Sequence, residues 1–305
     1  MAASGFPVAA PIGLVRSAAE DPALSAWLGR VDQLVDAACR RWDLDKVAAL
    51  PAQYSVVLEV RQPDGAPAVL KVIPPDDFAA LEVPALRAYD GESSPRLLAY
   101  DETLDAALLE RVGPARPLSH LPDDEATRVL ATVMRRLWTV PASRLQPPNR
   151  LSDWATQRPA IMRSRAGGRP GLVPPDLLDQ ATEILRCWDS SVDDVILHGD
   201  LHHANVLSSD RCGWVAIDPC GRIGHREADV AAMLRNPWGA ELDVERLRAR
   251  NERRLDILRA MLDLDLDRCR QWAFANSLDL AIWSAVSGRP DDFDHLFAVA
   301  LSLRE

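Results

Sequence analysis

The sequence predicts an α+β chain in two parts, a small unit built on an antiparallel sheet and a larger, mainly helical one. Three observations carry this expectation. Short β-rich apolar runs separated by turn residues fill the segment from about 54 to 112. Beyond 113 the apolar spacing becomes that of helices. Between them lies "GPARPLSHLP", whose Pro and Gly content marks a linker. The expected domains are therefore 1–112 and 113–305. With 305 residues, 48% of them hydrophobic, the chain is long enough for a sizeable core in each.

The elements follow in order. In "DPALSAWLGRVDQLVDAACRRWDL" the residues Leu24, Trp27, Leu28, Val31, Leu34, Val35 and Ala38 share one face of a helix, with Asp21 as N-cap and Pro22 in the first turn. "YSVVLEVRQPDGAPAVLKVI" reads as two strands around a Pro-Asp-Gly turn. "DDFAALEVPALRAYDG" predicts a short helix interrupted near Pro84, and "RLLAYDETLDAALLERV" a second hairpin. After the linker, Ala126, Val129, Leu130, Val133 and Leu137 form a helical stripe. Residues 146–175, rich in Pro, Gly and Arg, give no assignment. Helix predominates toward the C-terminus, and there is no internal repeat.

Composition excludes several classes. A formal net charge of −10 repels phosphate backbones, so nucleic acid is not expected as a partner, whereas a cationic small molecule is compatible. No apolar run approaches the roughly 20 residues that span a bilayer, so no membrane association is expected. The start "MAASGFPVAAPIGLVRSAAEDP" lacks the pattern of a secretory signal. Five scattered cysteines, never in a C-x-x-C pair, read as reduced thiols of a cytoplasmic protein. A monomer or a homodimer is equally compatible with these features.

The chemistry concentrates in "VILHGDLHHANVL", residues 195–207. An apolar run ends in His198, Gly199 and Asp200, and Asn205 follows. A strand pair around a polar turn then delivers Asp218. Asn and Asp oxygens suit a hard cation such as Mg²⁺, and Asp200, on the preceding loop, is placed to accept a hydroxyl proton. This order is that of kinases, in which catalysis is mainly positioning and charge stabilisation. In the small unit, Lys71 ends the strand "PAVLK", where it would neutralise nucleotide phosphates, and Glu82 in the next helix would hold it by an ion pair. There is no G-x-x-x-x-G-K-[ST] sequence, so a P-loop is excluded. The turn "LPAQYSVVLEV" has no glycine, and Ser55 is its candidate phosphate contact. Only ten residues separate Asp218 from Asp229, too few for a long activation loop, which favours a small-molecule substrate.

"LHGDLHHANVL", "AIDPCGRIGHREADVAAMLRNPW", "PAVLKV" and "LLERV" together resemble the aminoglycoside phosphotransferase family, in its branch of streptomycin 6-kinases and hydroxyurea-type resistance kinases. The resemblance runs from "RWDL" almost to the C-terminus. It implies a protein-kinase-like two-lobe fold, ATP, Mg²⁺ and phosphorylation of a hydroxyl on a cationic antibiotic. It implies Asp200 as catalytic base, Asn205 and Asp218 as Mg²⁺ ligands, and Lys71 with Glu82 at the phosphates. Adenine would bind the Glu110 carbonyl and the Val112 amide. The C-terminal helices would line the substrate cleft, with Asp279 and Trp283 as candidate substrate residues and Trp238, Glu241, Asp291, Asp292 and Asp294 as further ones. Cys220, His225 and Arg226 stand where relatives often read "DPKG" and "GDP" or "GEP".

Plainer readings stand beside these. His198 is expected to be a packed histidine that shapes the loop, and His202 and His203 to be loop scaffold. Asp229 is expected to brace the loop through backbone hydrogen bonds. Arg222 and Arg226 are expected to be solvated, with phosphate contact as the alternative. The rival functions are a metabolic kinase acting on an amino sugar, a hydroxylated amine or hydroxyurea, and a catalytically idle nucleotide-binding regulator.

Overall fold

A computed structural model describes residues 11–19, 21–74, 79–191, 193–238, 241–287 and 289–304 of the chain. It separates into two compact units, residues 1–112 and 113–305.

The first unit begins with three helices, α1 (Ile12–Ala18), α2 (Pro22–Leu28) and α3 (Val31–Trp42). The single helix expected over residues 21–44 is therefore two. Asp21 caps α2 as expected, accepting from the Ala23 and Leu24 amides at 2.8 and 3.2 Å. The break falls at Gly29, a residue that costs a helix about 1 kcal/mol relative to Ala. The buried stripe survives it, because Trp27, Val31, Val35 and Ala38 still pack on one sheet face.

That sheet is antiparallel, with strands β1 (Asp45–Ala49), β2 (Val56–Arg61), β3 (Pro67–Val72), β4 (Leu97–Asp101) and β5 (Ala106–Glu110) in the order β1-β2-β3-β5-β4. The Pro-Asp-Gly turn forms as expected, with Gly65 at φ +82° and the Ala66 amide donating to Asp64 Oδ1 at 2.9 Å. Alternation then sets the faces. Val56, Leu58, Val60, Leu70 and Val72 point to α2 and α3. Each such side chain contributes about 1.5–3 kcal/mol when buried. The opposite face carries Val69, Ile73, Ala107 and Leu109 and is covered by helix α4 (Ala79–Tyr89) through Val83 and Leu86. Pro84 does not interrupt α4 but lies inside it. It forgoes one backbone hydrogen bond near the start of the helix without ending it. The first part of "DDFAAL", residues 76–78, lies outside the described residues.

In the second unit the expected linker is structured. Pro114–Pro117 form strand β6, which joins β8 (Val206–Ser209) and β9 (Gly213–Ala216) in a three-stranded sheet. The Arg116 amide donates to the Ser208 hydroxyl at 2.9 Å, so one prolyl-flanked N–H still finds a partner. Helix α5 (Asp123–Leu137) buries the expected stripe. Residues 146–175 contain α6 (Leu151–Gly167) and lead into α7 (Pro175–Arg186). The buried line of α6 is Leu151, Ala155, Pro159, Met162 and Ala166, helical in spacing but weakly apolar. Strand β7 (Val195–Leu197) pairs antiparallel with β10 (Arg222–Gly224). Four helices complete the unit: α8 (Ala231–Arg235), α9 (Val244–Met261), α10 (Leu266–Val286) and α11 (Pro290–Leu303). No helix among the described residues is long and apolar enough to cross a membrane.

Candidate active site

The buried strand β7 delivers His198, Gly199 and Asp200 to one loop. His198 is fully buried, and its ring is oriented by two contacts. Nδ1 accepts the Asp200 amide at 3.3 Å, so Nε2 carries the proton and donates to the Ile217 carbonyl at 2.9 Å. Burial lowers the pKa of this imidazole, which is neutral in that role. Gly199 turns the chain at φ +80°, and a Cβ there would meet Cys220 Cβ at 3.0 Å. A side chain is thus excluded both by backbone conformation and by space.

Asp229 sits beneath this loop. Its Oδ1 accepts the Gly199 amide at 2.8 Å, and Oδ2 accepts the His198 amide at 3.1 Å and Trp138 Nε1 at 3.0 Å. Three donors, the buried His198 amide among them, thus converge on one carboxylate. The Cys220 amide donates to the His198 carbonyl at 2.7 Å, tying the segment after Asp218 to the same loop.

Asp200 and Asn205 are joined directly. Asn205 Nδ2 donates to the Asp200 carbonyl at 3.0 Å and lies 3.3 Å from Asp200 Oδ2. The amide nitrogen is thereby committed, which leaves Asn205 Oδ1 as the atom for a cation. The Ile217 amide donates to the Asn205 carbonyl at 2.8 Å, at the base of the β8–β9 hairpin. Asn205 and Asp218 therefore lie at the same end of one hairpin, one on each arm. Asp218 adopts φ +59°, a conformation that costs a non-glycine residue about 1–3 kcal/mol and clusters at active sites. The donor set is oxygen from an amide and a carboxylate, which fits Mg²⁺.

The other oxygen of Asp200 meets a residue that sequence spacing did not single out. Arg235 Nη2 donates to Asp200 Oδ1 at 3.1 Å, and its Nη1 donates to Asn276 Oδ1 at 2.9 Å. The His202 ring lies 3.5 Å from Asp200 Oδ2. Burial works to raise the Asp200 pKa, but His202 and Arg235 outweigh it and hold the carboxyl well below the ordinary range. The only signal of Arg235 in the sequence is a charge ending the apolar run "AAML".

In the first unit, Lys71 lies opposite Val57 and Ala107, on the sheet face covered by α4. Its Nζ meets Glu82 Oε1 at 2.7 Å, and both side chains are buried. Ser55 is buried immediately before β2. Glu110 ends β5, its Oε2 accepting the Arg96 amide at 3.1 Å, and Val112 follows, buried.

The candidate substrate residues fall into different surroundings. Asp279 is buried and bidentate to Arg158, at 2.9 and 2.7 Å, so its charge is already met within the chain. The Arg289 guanidinium lies over the Trp283 ring at 4.8 Å. Neither is an open acceptor for a cation. Trp238 is exposed and stacks on His295 at 5.2 Å, and Glu241 is paired with Arg246 at 3.3 Å. Asp291 and Asp294 are exposed and Asp292 is half-buried. His225 binds Asp189 at 3.1 Å, Arg226 lies over Trp138 at 6.0 Å, and Arg222 over Trp154 at 5.3 Å. Both arginines therefore rest on indole rings, a setting that neither free solvation nor phosphate contact anticipated.

Comparison with known proteins agrees with this geometry. The family described as aminoglycoside/hydroxyurea antibiotic resistance kinase matches residues 41–288. Streptomycin 6-kinase of Streptomyces griseus is 32% identical over 278 residues, covering 86% of this chain and 86% of that protein. Hydroxyurea phosphotransferase of Kitasatospora aureofaciens is 31% identical over 265 residues, covering 85% of this chain and 74% of that protein. A thermostable mutant of an aminoglycoside phosphotransferase, solved with ADP and hygromycin B, superposes with a TM-score of 0.61 at 16% identity, covering 88% of this chain and 97% of that one. The fold is thus that of kinases with a small antiparallel-sheet unit and a larger helical one.

Proposed function

Because the chain belongs to the aminoglycoside/hydroxyurea antibiotic resistance kinase family, we propose that it transfers the γ-phosphoryl group of ATP to a hydroxyl of a streptomycin-type aminoglycoside. The observation that carries this reading is the Asp200–Asn205 pair, fixed on a loop braced by Asp229. In the proposed step Asp200 accepts the proton of the substrate hydroxyl as its oxygen attacks the γ-phosphorus. The bond to the β–γ bridging oxygen breaks, and ADP leaves. Lys71, held by Glu82, binds the nucleotide phosphates, while the Glu110 carbonyl and Val112 amide bind adenine. Asn205 Oδ1 and Asp218 would hold Mg²⁺, which when bound neutralises phosphate charge. The net charge of −10 favours a cationic acceptor.

Hydroxyurea is the second acceptor to weigh, supported by the 31% identity to a hydroxyurea phosphotransferase. Mass spectrometry of products formed from ATP with streptomycin, other aminoglycosides, amino sugars or hydroxyurea separates the readings. A phosphate ester on streptomycin is the expected product. Phosphorylation of hydroxyurea or an amino sugar alone would replace the antibiotic reading with the metabolic one. Nucleotide binding with no transfer to any acceptor would reject both.

A further inference from the structure

We propose that Arg235 is a positioning residue for the catalytic base, held in place by a collar of side chains around the end of α8. The proposal deepens the phosphotransfer reading and rests on it.

The Arg235 guanidinium acts as a fork. Arg235 is buried, and its two terminal nitrogens are bound by different elements, Nη2 to Asp200 Oδ1 at 3.1 Å and Nη1 to Asn276 on α10 at 2.9 Å. A planar guanidinium held at both prongs has one orientation, and the carboxylate it binds inherits it. Asp200 then presents Oδ2 toward Asn205 and His202 at the longer distances of 3.3 and 3.5 Å.

The backbone of Arg235 is held as well. A helix leaves its last carbonyls unpaired, and water usually satisfies them. Here four consecutive carbonyls are each bound by a side chain from α9 or α11. Arg254 Nη1 donates to Met233 and Asn236, both at 2.6 Å, and Arg250 Nη2 donates to Leu234 at 2.9 Å. His295 Nε2 binds the Arg235 carbonyl at 2.8 Å. Arg254 is 1% exposed and is itself anchored to Asp123 at the start of α5. A five-residue helix has little stability of its own. The collar fixes the backbone of Arg235, whose side chain reaches the base.

The test uses Arg235→Met in the full-length protein, with ATP and streptomycin, and hydroxyurea as a second acceptor. Loss of positioning should lower kcat about 10²-fold, as a misplaced catalytic group does. KM for ATP should stay near the wild-type value, and added guanidinium ion should restore part of kcat. Asn276→Ser, which frees one prong only and is the milder variant for folding, should lower kcat less. A crystal structure of either variant should show the Asp200 carboxylate turned from its wild-type orientation. Wild-type kcat in Arg235→Met, a loss explained by KM for ATP, or an unmoved Asp200 would each overturn the proposal. If the wild type phosphorylates no acceptor at all, the phosphotransfer reading fails, and the orientation of Asp200 in the variant crystals still decides this one.

Discussion

Asp229→Asn isolates the brace under the catalytic loop. The wild-type carboxylate serves three donors with two oxygens, Gly199 on Oδ1 and His198 with Trp138 on Oδ2. Asparagine keeps one acceptor oxygen. Its best orientation places that oxygen where two donors converge and turns its NH₂ toward the Gly199 amide. One hydrogen bond to a charged group is then lost, a cost of about 1.5–3 kcal/mol. For a domain of this size each kcal/mol moves Tm by about 2–4 °C, so a drop of about 3–12 °C is expected. Alanine would remove all three contacts and strand the buried His198 amide, so it should cost more than asparagine. Asp229→Ala should therefore unfold at a lower Tm than Asp229→Asn. Thermal unfolding followed by circular dichroism, with kcat measured on the same samples, reads both effects. The kcat of Asp229→Asn should fall with its Tm, because the displaced amides flank Asp200. A Tm within about 1 °C of wild type would show that Asp229 does not brace the loop through its charge.

Other outcomes follow from the same geometry. Lys71→Met removes the ammonium 2.7 Å from the buried Glu82 Oε1 and should lower stability in denaturant unfolding. Adding Glu82→Leu should restore most of that stability while calorimetric ATP binding stays weak. His203 is buried, and burial together with Arg254 lowers its pKa from 6.5 to about 4. The unfolded chain binds that proton first, so stability is complete above pH 6.5 and declines by about 3 kcal/mol as pH falls toward 4. His203→Phe should flatten the stability curve in that window, since neither ring nitrogen has a hydrogen-bond partner to lose. Chelation of divalent cations should stop phosphate transfer, and added Mg²⁺ should restore it, in a coupled assay of ADP release.

The sheet unit was legible in the sequence because its signals are local. Alternation in "VVLEV" and "PAVLK" and one Pro-Asp-Gly turn determine which face Lys71 occupies, and α4 supplies Glu82 on that face. Asp200, Asn205 and Asp218 were legible because one loop and one hairpin carry them. Elements decided by tertiary context were not. Strand β6 has two prolines in four residues and exists because β8 pairs with it. Helix α6 hides behind Pro159 and small alanines. Arg235 lies 35 residues from Asp200, and nothing local announces that α8, α9 and α11 converge around it. Asp279 looked available as a lone carboxylate, but its partner Arg158 comes from 121 residues upstream.

In the proposed reaction Asp200 takes the proton of an acceptor hydroxyl during phosphate transfer from ATP. Transfer of labelled γ-phosphate to streptomycin should be readily measured with the wild-type protein. Asp200→Ala should reduce it by about 10²–10⁴-fold, while ATP affinity stays near wild type. Turnover by Asp200→Ala comparable to wild type would mean that Asp200 is not the base.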